Sequence, residues 1–188
     1  MAFQGQVNET GKPLPKVLTR SGMQWYEMSS STLADLVASI NYGERLFIAK
    51  MKERSFVNQR LTRFTRKDPR TDIDLCHALL NSIVSLWFLE ALGFGRGLGA
   101  LDLSSTKLKV GLHMLDPQSL SANQVTVIKE KFAPLLQRPV LPILHELEAA
   151  DRLAFETEVL NAFGLASRAQ NVIESLKELF SIRMAAIQ

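Results

Sequence analysis

The sequence predicts an α+β fold: a small mixed or antiparallel sheet with one long buried helix, followed by a C-terminal helical subdomain. Three observations point there. Segments rich in β-branched and aromatic residues, Leu46 to Ile48 and Ser55 to Phe64, read as strands. A run from Leu75 to Leu89 carries no charge and has the length of a helix. After Pro117, helix-start signals recur, with Ser121 before Gln124, Pro139 and Pro142, Asp151, and Ser167 before Gln170. With 188 residues, 46% hydrophobic and 22% charged, the chain has a globular composition. Chains of this size bury roughly 70% of the surface the unfolded chain exposes. That fits one domain or two small packed lobes and excludes a large two-domain enzyme. The expected boundaries are a loose arm over residues 1–22, an α+β region over 23–117 and a helical subdomain over 118–188.

Taken in order, Met1 to Gly22 is rich in Gly, Pro, Asn and hydroxyl residues and shows no periodicity. Ser29 to Ser31 and Thr32, followed by Leu33, Leu36, Val37 and Ile40 at helical spacing, predict a capped short helix from Ser29 to Ile40. The two strands come next. From Asp72 to Leu92 the chain predicts one long helix that Gly93 ends; Asp74, His77, Asn81 and Ser85 lie three or four apart on a single stripe. A membrane span should be apolar on all sides, so the stripe favours a helix buried within a fold. Four glycines follow in seven residues, Gly93 to Gly99, leaving a helix and entering a strand at Ala100 to Leu103. A phosphate-cradling loop runs the other way, from strand to helix, and this one lacks the Lys and Ser or Thr of a P-loop. Lys107 to Leu115 alternates, with Leu108, Val110, Leu112 and Met114 on one side, and predicts a half-buried strand with Lys107 and Lys109 outward. Asp116 and Pro117 make a turn. Ser121 and Gln124 form a capping box for a helix that Pro134 interrupts. Pro139 and Pro142 suit the first turn of the next helix, Asp151 caps a third that ends at Gly164, and Ser167 with Gln170 makes a second box. The last helix aligns Val172, Ile173, Leu176, Leu179 and Phe180, a stripe that needs a partner surface.

The net charge of +3 is small but unevenly spread. From Glu44 to Arg70 nine Lys or Arg face three acids, a net of +6, whereas from Leu112 onward seven basic residues face nine acidic, a net of −2. Such asymmetry suits a surface that binds a polyanion, with a solvated charged face as the plain alternative. Catalytic chemistry has little support. His77, His113 and His145 have no second ligand at metal spacing. His77 reads as a hydrogen-bonded structural histidine and Cys76 as core, because adjacent helical residues point about 100° apart and cannot pair as nucleophile and base. Glu146 and Glu148 read as a solvated face. The single cysteine and an N-terminus with neither a basic start nor an apolar stretch lead us to expect a cytoplasmic protein.

Several segments in succession resemble the C-terminal target-recognition region of bacterial adenine-specific DNA methyltransferases of restriction-modification systems. Trp25, Tyr26 and Glu27 look like the aromatic opening of that region, and Arg45 to Lys50 with Phe56 to Arg60 like its paired strands. Asp72 to Leu75 leading into Ala78, Leu79, Leu80, Asn81 and Ser82 resembles its Leu-Asn-Ser helix. Gly97 to Leu103 resembles the Gly-rich turn and strand that follow, and Met114 to Pro117 the next strand end and turn. Asp151 and Arg152, then Val159 to Leu165, are similar to the closing helix. The likeness runs over about residues 20–165 and rests on order and spacing.

The resemblance implies a DNA-binding portion that is not an enzyme on its own. The chain has no Pro-Pro pair, hence none of the Asn- or Asp-Pro-Pro-aromatic tetrapeptide that receives a flipped adenine. S-adenosylmethionine is expected on a separate catalytic domain or subunit, with no cofactor, metal or catalytic residue in this chain and no membrane partner. The implied partners are double-stranded DNA and that catalytic part. The candidate phosphate-binding residues are Arg45, Lys50, Lys52, Arg54, Arg60, Arg63, Arg66, Lys67, Arg96, Lys107 and Lys109. Trp25 and Tyr26 are candidates for stacking on nucleic acid, with core packing the alternative. The rival reading is a protein-interaction module that docks on a larger partner through its apolar and amphipathic helices.

Overall fold

The computed structural model describes residues 6–13, 33–58, 60–96 and 99–185, with the Arg96 side chain outside that description. The chain divides into two compact units, Met1–Leu33 and Ala34–Gln188. In the first, within the expected loose arm, Val7 bridges Pro13 around a turn that Asn8 closes, its Oδ1 accepting from the backbone N–H groups of Thr10 and Lys12.

The second unit is α+β, with two three-stranded antiparallel sheets and a C-terminal helical part. Its strands are β1 (Ala34–Ser39), β2 (Asn41–Tyr42), β3 (Ala49–Ser55), β4 (Leu61–Phe64), β5 (Phe94–Arg96) and β6 (Ala100–Asp102). The helices among the described residues are α1 (Ile73–Leu80), α2 (Ile83–Leu92), α3 (Ser105–Gly111), α4 (Ala122–Phe132), α5 (Ile143–Glu146), α6 (Ala150–Ala162) and α7 (Ala169–Ala185). One sheet runs β3-β1-β4, with Val37 opposite both Ala49 and Arg63; the other runs β2-β6-β5.

Three predicted elements change. The expected helix up to Ile40 is the strand β1, and its Ser29–Thr32 cap lies outside the described residues. As the central strand β1 is buried from Ala34 to Ala38, so its sequence shows no alternation, and Leu33, Leu36, Val37 and Ile40 match a helical period by chance. The second change is in the long helix, which is two, α1 and α2, bent by 62°. The polar stripe makes the break. Asn81 Nδ2 donates to the His77 carbonyl, and the Ser82 and Ser85 hydroxyls both donate to the Leu79 carbonyl. These bonds satisfy carbonyls at the end of α1 and spare the backbone from continuing as one rod. The third change is the strand predicted at Lys107–Leu115, which is replaced by α3. Leu108 is buried there, whereas Val110, which alternation places beside it, is 79% exposed.

Of the two strand segments predicted before the long helix, Leu46 to Ile48 only leads into β3, and β4 occupies the end of the other. The predicted Ser121–Gln124 capping box is present in full. Gly164 ends α6 at a φ of +66°, and the N–H groups of Gly164 and Leu165 return to the carbonyls of Asn161 and Leu160, a closure that favours glycine. Ala149, not Asp151, is the N-cap of α6, because Asp151 turns to Arg138. Gln170 likewise forms no second box: its amide donates to Glu174, one turn further on.

Two apolar clusters share α1 as a wall. Cys76 and Leu80 face one that includes Leu36, Leu86, Leu101 and Leu176; Leu75 and Leu79 face another with Ile128, Phe132 and Phe155. The stripe on α7 finds its partner in α2, so elements on both sides of Pro117 share these cores. Among the described residues no single helix is long and apolar enough to cross a membrane; α1 and α2 pass that test only as a bent pair.

Gly93 closes α2 directly against the fully packed Leu101 of β6, where an added Cβ would overlap the Leu101 side chain. Gly93→Ala should therefore lower unfolding free energy by about 1–3 kcal/mol through overpacking. Urea denaturation reads the loss, and a loss below about 0.5 kcal/mol, the size of an ordinary surface substitution, would contradict this close approach.

Candidate nucleic-acid interface and the polar network behind it

The basic residues predicted to touch DNA fall into three groups. Arg54 on β3 and Arg66 after β4 both reach the buried carboxylate of Asp35 on β1 at 3.3 Å, and the Arg66 N–H also donates to it at 3.0 Å. Burying an unpaired carboxylate is costly, so these two arginines answer a charge built into the sheet. Lys50 is likewise paired, with Asp74 at the start of α1. The second group, Arg45, Lys52, Arg60, Arg63, Lys67 and Lys109, is exposed and makes no ion pair among the described residues. Lys107 stands apart, its ammonium 5.4 Å from the centre of the Phe94 ring. The Arg96 side chain, Trp25 and Tyr26 lie outside the described residues.

Arg63, Arg66 and Lys109 also meet at one cavity of about 360 Å³ between the first sheet, α1 and α3. No Asp or Glu is among its described lining residues. Its wall includes Cys76, whose thiol burial pushes above the usual range, so Cys76 is a poor nucleophile.

The largest polar feature is one the sequence reading missed. Glu146 is 1% exposed, which corrects its assignment to a solvated face; Glu148 alone fits that description. Arg138 grips Glu146 with two nitrogens at 2.9 and 3.0 Å and reaches Asp151 at 2.6 Å. Arg152 donates to Glu146 at 3.0 Å, to Glu156 at 3.1 Å and to the Asn81 carbonyl at 2.7 Å. Glu156 in turn accepts from the Ile83 N–H, at the start of α2, at 3.0 Å. Burial opposes the charge on Glu146, but Arg138 and Arg152 outweigh it and hold the carboxyl below its usual range. For Glu156 burial wins: despite Arg152 its pKa is pushed up to about 7.

This network clamps the helix break from one side, and Ile48, just before strand β3, is tied to it from the other. Asn81 Oδ1 accepts from the Ile48 N–H at 2.9 Å, while Asn81 Nδ2 and His77 Nε2 both donate to the Ile48 carbonyl at 2.8 Å. Burial lowers the His77 pKa, so the ring is a neutral, hydrogen-bonded structural group. A second buried pair, Arg183 with Glu90 at 2.6 Å, fastens α7 to α2. Sequence spacing gives only one hint of these links: Arg152 and Glu156 lie four apart on α6.

Among the described residues no cluster of three or more His, Cys, Asp or Glu is placed to hold a metal ion. Of the Gly-rich run, Gly95 lies in β5 in the ladder opposite Leu101 of β6, so the described part of the run follows a helix and pairs as strand. Compared with models of protein families, with curated proteins and with solved structures, the chain matches none.

Proposed function

We propose that this chain is the DNA-binding, target-recognition portion of a site-specific adenine DNA methyltransferase of a restriction-modification or related defence system, and that it does not methylate alone. The observation that carries the reading is the set of exposed cations that make no ion pair among the described residues, Arg45, Lys52, Arg60, Arg63, Lys67 and Lys109, beside the anchored Arg54 and Arg66. Such side chains bind phosphates, release condensed counterions and set register on a duplex. A further support is that two segments behind the resemblance meet: Arg152 of the Asp-Arg pair donates to the carbonyl of Asn81 in Leu-Asn-Ser. The methyl donor and the pocket for the flipped base would belong to the catalytic part.

The test is fluorescence anisotropy of a labelled mixed-sequence duplex at salt concentrations from roughly 50 to 200 mM. Affinity should fall steeply with salt. Arg60→Glu, Arg63→Glu and Lys67→Glu together should weaken it and flatten the salt slope by about 1 for each phosphate that is no longer neutralised. Arg66 is left intact, because a glutamate there would face the buried Asp35. No binding at the lowest salt, with a stable protein complex instead, would overturn the reading in favour of an interaction module.

A further inference from the structure

We propose that the cavity between the first sheet, α1 and α3 binds a small amphipathic carboxylate, its apolar body inside and its carboxylate at the cationic rim. The walls come from three elements: Leu36 and Phe64 from the sheet, Cys76 and Leu80 from α1, and Leu108 and Leu112 from α3 and its end. They form one side of the main core, so this apolar surface is preformed by packing. Its volume of about 360 Å³ falls within the range of small-molecule sites, roughly 300–1,000 Å³, at the lower end.

The rim selects the charge of the ligand. Arg66 shares the Asp35 carboxylate with Arg54, whereas Arg63 and Lys109 have no ion pair among the described residues, and no acid is present in the described lining to oppose them. A cationic ligand would be repelled, and a neutral one would leave the cations unused. A phosphodiester backbone would use them but has no apolar body for the cavity. An apolar chain or ring with one carboxylate satisfies both halves. The inference does not depend on the DNA reading.

Decanoate is the probe, titrated calorimetrically below its micellar concentration, with decanol as the uncharged control. One saturable site is expected for decanoate, with decanol and the Arg63→Glu/Lys109→Glu variant each about tenfold or more weaker. Leu112→Trp should fill the cavity and abolish binding while keeping the unfolding midpoint; should it unfold the protein, Thr71→Trp, in the lining segment just before α1, replaces it. Absence of a saturable site, equal affinity for decanol, or binding that survives the filled cavity would overturn the proposal. The duplex titration is separate, so either reading can fail without the other.

Discussion

Replacing Arg152 with Met is expected to lower unfolding free energy by about 3–5 kcal/mol, the cost of breaking a buried ion pair by removing one partner. The guanidinium serves three groups at once: Glu146, Glu156 and the Asn81 carbonyl. Both carboxylate side chains are under 5% exposed, so water cannot take over its role. Glu146 keeps Arg138, but Glu156 loses the guanidinium that pairs with it and keeps, among the described residues, the Ile83 N–H. Methionine preserves much of the volume, so the loss reports charge and hydrogen bonding more than a cavity. If the network accounts for the cost, the Arg152→Met/Glu156→Gln double variant should recover part of it, since a neutral amide no longer needs a cation. Urea denaturation of the parent and the three variants measures this, and a single-variant loss under about 1 kcal/mol, typical of an exposed pair, would contradict the buried network.

What the sequence disclosed and what it hid divide along one physical line. Local chemistry was legible. The capping box at Ser121 and the Gly164 closure depend on neighbours within a few residues, and both stand where expected. Leu101 and Leu103 read as strand, and β6 covers Ala100–Asp102. Long-range burial was not legible. The periodicity of β1 misled because a strand packed on both faces loses its alternation. Leu108 and Val110 alternate convincingly, yet only one of them faces the core. The stripe of Asp74, His77, Asn81 and Ser85 does mark one face of a helix, but its purpose depends on partners 24 to 71 residues away, Lys50, Ile48 and Arg152. The same holds for the candidate site. The positive stretch is countable, whereas its split into anchored and unpaired cations turns on Asp35, an acid whose sequence surroundings read as helix.

Stability near neutral pH should fall as pH rises, and Glu156 should be the cause. Its pKa in the fold is about 7, above its ordinary 4.5, because burial disfavours the carboxylate more than Arg152 favours it. The folded state therefore holds this proton more tightly than the unfolded chain does. The stabilisation from that proton is complete below pH 4.5 and is lost as pH climbs to about 7, a difference of about 3 kcal/mol by linkage. Glu146, Asp151 and Asp72 act in the opposite sense at lower pH. Their pKa values are depressed, so their contributions are present above the ordinary carboxyl range and disappear as acid protonates them. His77 complicates the neutral window, since its depressed pKa makes the fold lose stability as pH drops below 6.5. The informative quantity is thus the difference between Glu156→Gln and the parent, in which His77 cancels. Denaturation midpoints from pH 4.5 to 7.5 should show the variant gaining on the parent as pH rises. Parallel curves would mean that Glu156 is ionised throughout and that Arg152 and the Ile83 N–H outweigh its burial.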